Sequence, residues 1–572
     1  TLKYFDGDEL PTNVFISKYA LQDNQGNYLE KNPDDMHKRI AKEFERIEKI
    51  KFKNPLSYEK IYNYFKDFKY IIPQGSPLFG IGNPYKRVSL SNCFVAEVPE
   101  DSYGSIMKVD QQIVQMSKRR GGVGLDISKL RPKGAPIQNA AKTSTGIISF
   151  MERYSNSIRE VGQSGRRGAL MISLSVHHPD IEEFITVKND LTKVTGANIS
   201  VKLSSEFLNA VKNNEKYELR WPVEGNKKIS KYIDANEIWQ KIIENSWKMA
   251  EPGLMFWDNM IEESIPDCYS DLGFKSVSTN PCAEIVLNEL DSCRLMVLNL
   301  YSFVNNPFTK NAQFDFEKFK EISFVLQRLM DDLVDLEVEK LDEIIFKIKN
   351  DPEDDWEKRE ELRLWKKVKD NAIIGRRTGS GVVGLGDMIA AMNLKYGSEE
   401  NLKFVDKIFK IFNHSLFDSS VEMAKEIGPF PIFDWNKEKN NQMLLRIKDE
   451  NLELFEKIKK YGHRNISLST VAPTGSISIL SQVTSGIEPL FMMSYIRRRK
   501  IDENDKTTQV NFVDQNGDKW QEYKVYHPKL KVWMEITGET DISKSPYFES
   551  CAEDIDWKNR VYLQSIIQKN IT

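Results

Sequence analysis

Cysteine is scarce in this sequence, with five residues in 572, at positions 93, 268, 282, 293 and 551. Their number is odd, and no two of them have the C-x-x-C spacing that is typical of zinc and redox motifs. None of the six histidines falls in an H-E-x-x-H pattern, so no metal site is predicted. So few cysteines in a long chain are typical of a reducing compartment, where cysteine is catalytic or buried. We therefore expect a cytoplasmic protein.

Long apolar runs and an excess of charge of either sign are also missing. The 81 basic and 84 acidic residues leave a net charge of −3, so no overall field favours nucleic acid or an anionic membrane surface. No apolar run approaches the roughly 18 residues of a membrane span, and residues 1–8 lack the apolar core of a signal peptide. These absences predict a protein that binds neither nucleic acid nor membrane.

Composition and periodicity divide the chain into three regions. Residues 1–70 are predicted to form an N-terminal helical region. Residues 71–500 alternate short apolar runs, glycine turns and helices, which indicates an α/β core, with a barrel as one form of it. Within that core, residues 169–176 and 197–203 are rich in β-branched residues and are predicted strands. Residues 501–572 are charged and aromatic and are predicted to form the C-terminal part of the same domain.

Two helical segments show how the core and the surface are predicted to divide. A helix that begins after Asp234 places Ile238, Ile242 and Trp247 on one stripe, which we interpret as core. The stretch 337–369 is dense in both signs of charge. It therefore predicts a solvated helical excursion rather than a binding patch.

The most informative stretch is Asn-Pro-Cys-Ala-Glu, which begins at Asn280. In an extended backbone alternate residues share one face, so Asn280, Cys282 and Glu284 are expected to point together at one small substrate. Cys293 follows eleven residues after Cys282, and Cys93 lies far upstream after Ser-Asn. Most free cysteines are simply small buried apolar residues. The polar neighbours favour thiol redox or radical chemistry here.

Several glycine-rich stretches are candidate phosphate sites. Residues 473–476 (Pro-Thr-Gly-Ser) lie where a helix is predicted to begin, and its N–H groups and dipole favour a phosphate; an ordinary helix N-cap is the alternative. Residues 119–124 would let a nucleotide approach the backbone closely. The basic loop 164–168 suits a phosphate and a surface turn equally. Residues 379–387 match a dinucleotide fingerprint only loosely. Because no predicted strand leads into them, we discount a dinucleotide site there.

Taken in order, these motifs resemble the catalytic subunit of ribonucleotide reductases. The Asn-Pro-Cys-Ala-Glu stretch is similar to the finger loop that carries the radical cysteine in that family, and residues 194–198 look like its specificity loop. The resemblance runs along essentially the whole chain. It implies a ten-stranded α/β barrel of the ribonucleotide reductase and glycyl radical enzyme type. Relatives continue past residue 572, so it also predicts that the C-terminal end of the barrel is missing here.

Among the reductase classes, the chain is most similar to the adenosylcobalamin-dependent one, in residues 4–10 and 493–500. That resemblance implies adenosylcobalamin as cofactor and ribonucleoside diphosphates as substrates. The alternatives are the large subunit of a reductase that needs a metal-radical partner, and a nucleotide-binding fragment that is catalytically incomplete. A glycyl radical enzyme is disfavoured because no glycine loop near the C-terminal end is a candidate for its radical.

The resemblance also implies a role for each residue of the site. Cys282 would carry a thiyl radical that takes the 3′ hydrogen of the ribose. Glu284 would act as general base on the 3′ hydroxyl, and Asn280 would orient the substrate hydroxyls. Cys93 would protonate the departing 2′ hydroxyl and then form a disulfide with Cys293, which requires Cα atoms within about 7 Å. A thioredoxin-like reductant would restore the thiols.

Binding residues are likewise carried over from the resemblance. The implied substrate contacts are Ser91, Asn92, Gly122, Pro473, Thr474, Gly475 and Ser476. Effector nucleotides, dNTP or ATP, are implied at the interface of a homodimer, at Asp101, Ser102, Arg131, Arg166 and Lys193. Asp101 could equally be a turn residue and Arg131 a surface charge.

Overall fold

A computed structural model describes residues 1–161, 168–500, 510–513 and 519–572. Its N-terminal part consists of α1 (Glu9–Lys18), α2 (Pro33–Lys51), α3 (Tyr58–Phe65), β1 (Ile71–Pro73) and α4 (Gly75–Gly80). Helix α2 begins as the sequence dictates, because Asn32 caps it and Pro33 occupies its first turn. One face of α2 is buried, including Met36, Ile40 and Phe44, and this face attaches the N-terminal helices to the core.

Strands and helices alternate in the next part of the chain. They are β2 (Cys93–Val95), α5 (Tyr103–Ser117), β3 (Gly122–Asp126), α6 (Ile148–Glu160), β4 (Leu170–Ser175), α7 (Ile181–Thr186), β5 (Ala197–Leu203), α8 (Ser205–Asn213), β6 (Lys216–Trp221), β7 (Ile229–Asp234), α9 (Ala235–Met249), β8 (Gly253–Phe256) and α10 (Trp257–Glu263). Strands β2, β3, β4, β5 and β8 are parallel and adjacent in that order. The two predicted strands are β4 and β5, and both are confirmed.

Six short strands follow: β9 (Ser276–Thr279), β10 (Val286–Asn288), β11 (Ser292–Cys293), β12 (Leu295–Asn299), β13 (Val304–Asn305) and β14 (Gln313–Phe314). Strands β9 and β10 form an antiparallel hairpin, which we call the finger (residues 276–288). Strand β11 pairs antiparallel with β2 at the edge of the large sheet. The large sheet therefore has six strands.

Helices dominate the following region: α11 (Phe316–Lys349), α12 (Asp355–Gly375), β15 (Gly379–Val383), α13 (Leu385–Ala391), α14 (Glu399–Ile427), α15 (Trp435–Glu438), α16 (Gln442–Glu450), α17 (Leu452–Tyr461) and α18 (Gly475–Ser481). Strand β12 lies between β1 and β15 in a second sheet of three strands. Only Arg294 separates β11 from β12, so one segment of chain connects the two sheets.

The C-terminal part contains β16 (Ser494–Lys500), β17 (Phe512–Val513), β18 (Lys519–Tyr526), α19 (Pro528–Thr537) and α20 (Trp557–Gln568). Its three strands form a separate antiparallel sheet. Two contacts attach this part to α13: His527 Nε2 lies 2.7 Å from Asp387 Oδ1, and the Tyr547 hydroxyl donates to the same oxygen at 2.6 Å. Asp387 is fully buried, and both contacts help satisfy its carboxylate.

The α/β fold class is confirmed, and the six-stranded sheet and the three-stranded sheet that β11 and β12 connect have half-barrel character. Two predictions about burial are wrong. Trp247 is 82% exposed, whereas Ile238 and Ile242 are fully buried. Nine residues at about 100° each place Trp247 on the face of α9 opposite Ile238. Glu337, predicted to be solvated, is fully buried on α11.

Candidate active site

The finger lies directly against the large sheet because Gly124, at the closest point of contact, carries no side chain. A Cβ atom added to Gly124 of β3 would lie 1.7 Å from the carbonyl oxygen of Thr279 in the finger. Lys202 of β5 donates from Nζ to the Val277 carbonyl at 2.9 Å, and the hydroxyls of Ser173 and Ser278 are 3.0 Å apart. Three neighbouring strands of the sheet thus hold one strand of the finger.

The tip of the finger is a turn, and the predicted extended conformation is wrong. Ala283 has φ +61°, in the left-handed region. Asn280 makes the turn: its carbonyl accepts from the Ala283 N–H at 3.0 Å, and its side-chain Oδ1 accepts from the Ile285 N–H at 3.2 Å. Asn280 Nδ2 donates to the Glu284 carboxylate. The amide and the carboxylate therefore meet, but through local hydrogen bonds rather than through strand alternation.

Cys282 and Glu284 have different surroundings at this tip. Cys282 is exposed. Glu284 is partly buried, and loss of solvent around its carboxyl raises its pKa to about 7. The hydroxyl of fully buried Thr470 donates to the Glu284 carbonyl at 2.7 Å. This bond attaches the tip to the segment just before residues 473–476, which we call the phosphate turn. A carboxyl with this pKa can exchange a proton near neutral pH.

Cys93 and Cys293 lie opposite each other on neighbouring strands at the edge of the large sheet. They are register partners in the antiparallel pair β2–β11, and such partners have Cα atoms about 4.5–5.5 Å apart. This separation suits a disulfide. Both side chains are buried, with 6% of Cys93 and 0% of Cys293 exposed. Burial raises the pKa of the Cys293 thiol well above its usual range, and the negative charge of Glu284 raises it further.

Two glycines make room for these sulfur atoms. A Cβ added to Gly122 of β3 would lie 3.4 Å from Cys93 Sγ and 3.0 Å from Cγ of Pro281 in the finger. A Cβ added to Gly379 of β15 would lie 3.0 Å from Cys293 Sγ. Gly122 is thus next to both the finger tip and the cysteine pair, so the two groups of predicted site residues lie close together.

A buried polar layer lies beside the cysteine pair, and sequence reasoning missed it. Glu337 of α11 accepts hydrogen bonds from the Ser91 hydroxyl at 2.9 Å and from the Leu90 N–H at 2.5 Å. Arg294, also fully buried, donates to the Ser292 hydroxyl at 2.8 Å. The Ser91 hydroxyl is therefore engaged by protein groups here. No local pattern signals Glu337, because a charge-dense helix is more often solvated.

The backbone of Asn92 makes hydrogen bonds to both neighbours of β2, which are β11 and β3. Its N–H donates to the Cys293 carbonyl at 2.9 Å, and its carbonyl accepts from the Gly122 N–H at 2.9 Å. Its side-chain Oδ1 is buried and has no hydrogen-bond partner within the described part of the chain. Asn92 and Gly122, both predicted substrate contacts, are thus adjacent in the structure.

The phosphate turn, residues 473–476, begins three residues after Thr470. Thr474 is buried, and its hydroxyl accepts from the Gly486 N–H at 2.8 Å. Thr474 is the N-cap residue of α18, and among the described residues no side chain makes a capping hydrogen bond there. Pro473 and Gly475 are exposed, while the Ser476 hydroxyl is 2.5 Å from that of Tyr19.

The structure brings some of the predicted effector residues together. Arg131 Nε donates to Asp101 at 2.7 Å, and the Arg131 N–H also donates to that carboxylate at 3.1 Å. Ser102 caps α5 by accepting from the Ser105 N–H. Lys193 is exposed on the loop before β5. Arg166 and most of the 164–168 loop lie outside the described residues.

Within the described ranges, none of the helices combines the length and apolarity needed to cross a bilayer.

Comparison with known proteins agrees with these observations. Residues 91–572 match the family described as ribonucleotide reductase, barrel domain. The chain is 30% identical over 508 residues to a vitamin B12-dependent ribonucleoside-diphosphate reductase of Thermoplasma acidophilum, a match that covers 87% of this chain and 58% of that protein. It is 28% identical over 412 residues to the protein of the same name from Mycobacterium tuberculosis, covering 71% and 51%.

A third relative has a different name. The chain is 27% identical over 454 residues to a ribonucleoside-diphosphate reductase large subunit of Variola virus, covering 74% of this chain and 55% of the viral protein. The chain thus spans between about half and three fifths of the length of the curated relatives it matches. Since the family match extends over most of its length, the chain belongs to the ribonucleotide reductase barrel-domain family.

Proposed function

We propose that this protein reduces ribonucleoside diphosphates to 2′-deoxyribonucleotides in an adenosylcobalamin-dependent reaction. The observation that carries the proposal is the meeting of the finger tip and the cysteine pair at Gly122. The names of the relatives from Thermoplasma acidophilum and Mycobacterium tuberculosis support the cofactor and the substrate class.

The finger tip performs the radical and proton steps. Cys282, as a thiyl radical, takes the 3′ hydrogen of the ribose. Glu284 accepts the proton of the 3′ hydroxyl, a task that suits its raised pKa of about 7. Asn280, held by its hydrogen bonds to Glu284 and Ile285, orients the substrate hydroxyls. The hydrogen returns from Cys282 to C3′ at the end of the cycle.

The cysteine pair supplies the reducing equivalents. Cys93 protonates the 2′ hydroxyl, the C2′–O bond breaks, and the oxygen leaves as water. The two thiols of Cys93 and Cys293 lose two hydrogens in total and form one S–S bond, so two electrons pass to the ribose. A thioredoxin-like dithiol then reduces that disulfide. The strand register supports this step, because it holds the two Cα atoms at disulfide distance.

The cofactor proposal fits the exposure of Cys282. A large group can approach this thiol because it is exposed at the finger tip, whereas the other two cysteines of the site are buried. Cys282 would be the residue that faces the cofactor, and bound adenosylcobalamin would supply radical chemistry to its thiol.

Binding partners complete the proposal. The diphosphate would contact the phosphate turn at Pro473, Thr474, Gly475 and Ser476, and the substrate would also contact Ser91, Asn92 and Gly122. Effector nucleotides would bind near Asp101, Ser102, Arg131, Arg166 and Lys193 in a homodimer. The enzyme would work in the cytoplasm.

The test is reduction of labelled cytidine diphosphate by the chain with adenosylcobalamin and a dithiol, beside Cys282→Ser. We expect product that requires the cofactor and disappears in the variant. Cys268→Ser is the matched control, because none of the proposed steps uses Cys268. This variant should retain activity. Cofactor-dependent product from Cys282→Ser would contradict the radical assignment.

A second candidate follows from the Variola virus relative, whose name is that of a large subunit and whose identity to this chain is similar. In that case the chain would require a metal-radical partner protein. Nucleotide binding without cofactor-dependent product, with activity restored by such a partner, would favour this candidate.

A further inference from the structure

Helix α1 lies antiparallel along α18, the helix that follows the phosphate turn. Asp8, the N-cap of α1, accepts from Nε2 of Gln482, the C-cap of α18, at 3.3 Å. Tyr19, the C-cap of α1, places its hydroxyl 2.5 Å from Ser476 Oγ in the first turn of α18. Because these two contacts lie at opposite ends of both helices, α1 holds α18 and its first turn in position.

The N-terminal end of α1 has a further anchor. Glu9 forms a 3.0 Å salt bridge with Arg497 of β16. The helix is therefore attached at both ends to elements that flank the phosphate turn. The N-terminal region thus contacts the candidate site directly, and no local sequence pattern indicates this contact.

The Tyr19 hydroxyl is confined by its surroundings. The side chain is 3% exposed. A Cβ added to Gly75, at the start of α4, would lie 3.6 Å from the Tyr19 hydroxyl oxygen. Tyr19 also donates its N–H to the carbonyl of Phe15, a fully buried residue. The hydroxyl is thereby held beside Ser476, where water has little access.

A serine hydroxyl has one proton and can accept as well as donate. Either hydroxyl could be the donor in this pair. With Tyr19 as the donor, the serine proton is available to a different acceptor. We propose that Tyr19 is a positioning residue of the substrate site, which orients the Ser476 hydroxyl to donate to a phosphate oxygen of a nucleoside diphosphate. This inference rests on the proposed function, which places the diphosphate at residues 473–476.

Binding of cytidine diphosphate and of cytidine to the 572-residue chain tests this role by calorimetry. We expect Tyr19→Phe to weaken diphosphate binding about three- to tenfold, the usual effect of one hydrogen bond, and to leave cytidine binding unchanged. In a Ser476→Ala background the same substitution should have no further effect on diphosphate binding. Tyr62→Phe is the matched control, because its hydroxyl donates to Asp34 elsewhere in the N-terminal region. It should bind both ligands as the wild type does.

Three results would overturn the positioning role while leaving the proposed function intact. They are wild-type diphosphate affinity in Tyr19→Phe, equal weakening for cytidine and cytidine diphosphate, and an undiminished effect in the Ser476→Ala background. A wild-type chain that binds neither ligand would overturn the proposed function together with this inference. Thermal unfolding of each variant establishes that the comparison is between folded proteins.

Discussion

Cys282 and the Cys93–Cys293 pair belong to one site, yet solvent reaches Cys282 and not the pair. Cys282 is exposed on a turn, whereas Cys293 is fully buried between two sheets. The difference matches the two kinds of chemistry proposed for them. An exposed thiol is accessible to a large cofactor, and burial slows the reaction of a dithiol with oxidants from solution.

The two environments are built in the same way. Glycine lets the finger backbone contact β3 at Gly124, and glycine leaves space for the sulfur atoms at Gly122 and Gly379. The exposed thiol and the buried pair are therefore kept close by backbone approach rather than by side-chain packing. Variants that disturb this approach should separate the two environments.

The largest effect is expected from Gly124→Val. The new Cβ would lie 1.7 Å from the Thr279 carbonyl oxygen, so the finger must move away from the sheet. We expect a loss of about 3 kcal/mol or more in the free energy of unfolding, measured with denaturant, and loss of nucleotide reduction. Gly104→Ala, on the exposed start of α5 where a Cβ meets nothing within 4 Å, is the control and should be at least as stable as the wild type. Wild-type stability in Gly124→Val would refute the close approach.

Glu284→Gln should show how the environment of the tip sets its chemistry. The wild-type reduction rate should rise with pH through about 7 as the carboxylate forms, and the variant should be slower by about 10²–10⁴-fold without this rise. The free energy of unfolding should depend on pH in the opposite direction to the reduction rate. Because the folded-state pKa is raised, folding favours the protonated carboxyl, and this stabilisation is present at acidic pH and lost as pH rises through about 7. Unfolding experiments on both proteins across this range measure the difference, which should be absent if Glu284 titrates normally.

Alkylation should distinguish the exposed thiol from the buried pair without any substitution. Iodoacetamide should modify Cys282 at least about tenfold faster than Cys293, because Cys293 is fully buried and its pKa is raised. Mass spectrometry of peptides from the native protein measures both rates, and unfolding the protein should make them similar. Equal rates in the native state would show that the pair opens to solvent readily.

Thr470→Val should have the smallest effect. It removes the hydroxyl that donates to the Glu284 carbonyl at 2.7 Å while keeping the shape of the side chain. We expect the free energy of unfolding to fall by about 1 kcal/mol and the reduction rate to change little. Denaturant unfolding measures the first quantity. A large loss of activity at unchanged stability would mean that Thr470 takes part in the reaction itself.

Much of the fold could be predicted locally. Strands β4 and β5 follow from β-branched runs, and α2 from its cap and its apolar spacing. The prediction that Trp247 is part of the core is wrong. Its side chain is apolar, but it lies on the exposed side of α9 and not on the buried stripe. The prediction of an extended finger tip is wrong for a different reason. The side chain of Asn280 accepts from the Ile285 N–H, and this local hydrogen bond favours a turn over an extended backbone.

The residues proposed for the chemistry follow from the sequence alone: the amide, thiol and carboxylate of the finger, the two other cysteines, and the glycine-rich turn. These are visible because each is a rare residue type in a short pattern. Tertiary structure alone decided their environments, because burial, strand register and backbone approach join residues hundreds of positions apart. Glu284 has a raised pKa, Cys293 faces Cys93, and Tyr19 contacts Ser476 for that reason. None of these contacts has a local signal, since each depends on how sheets and helices pack.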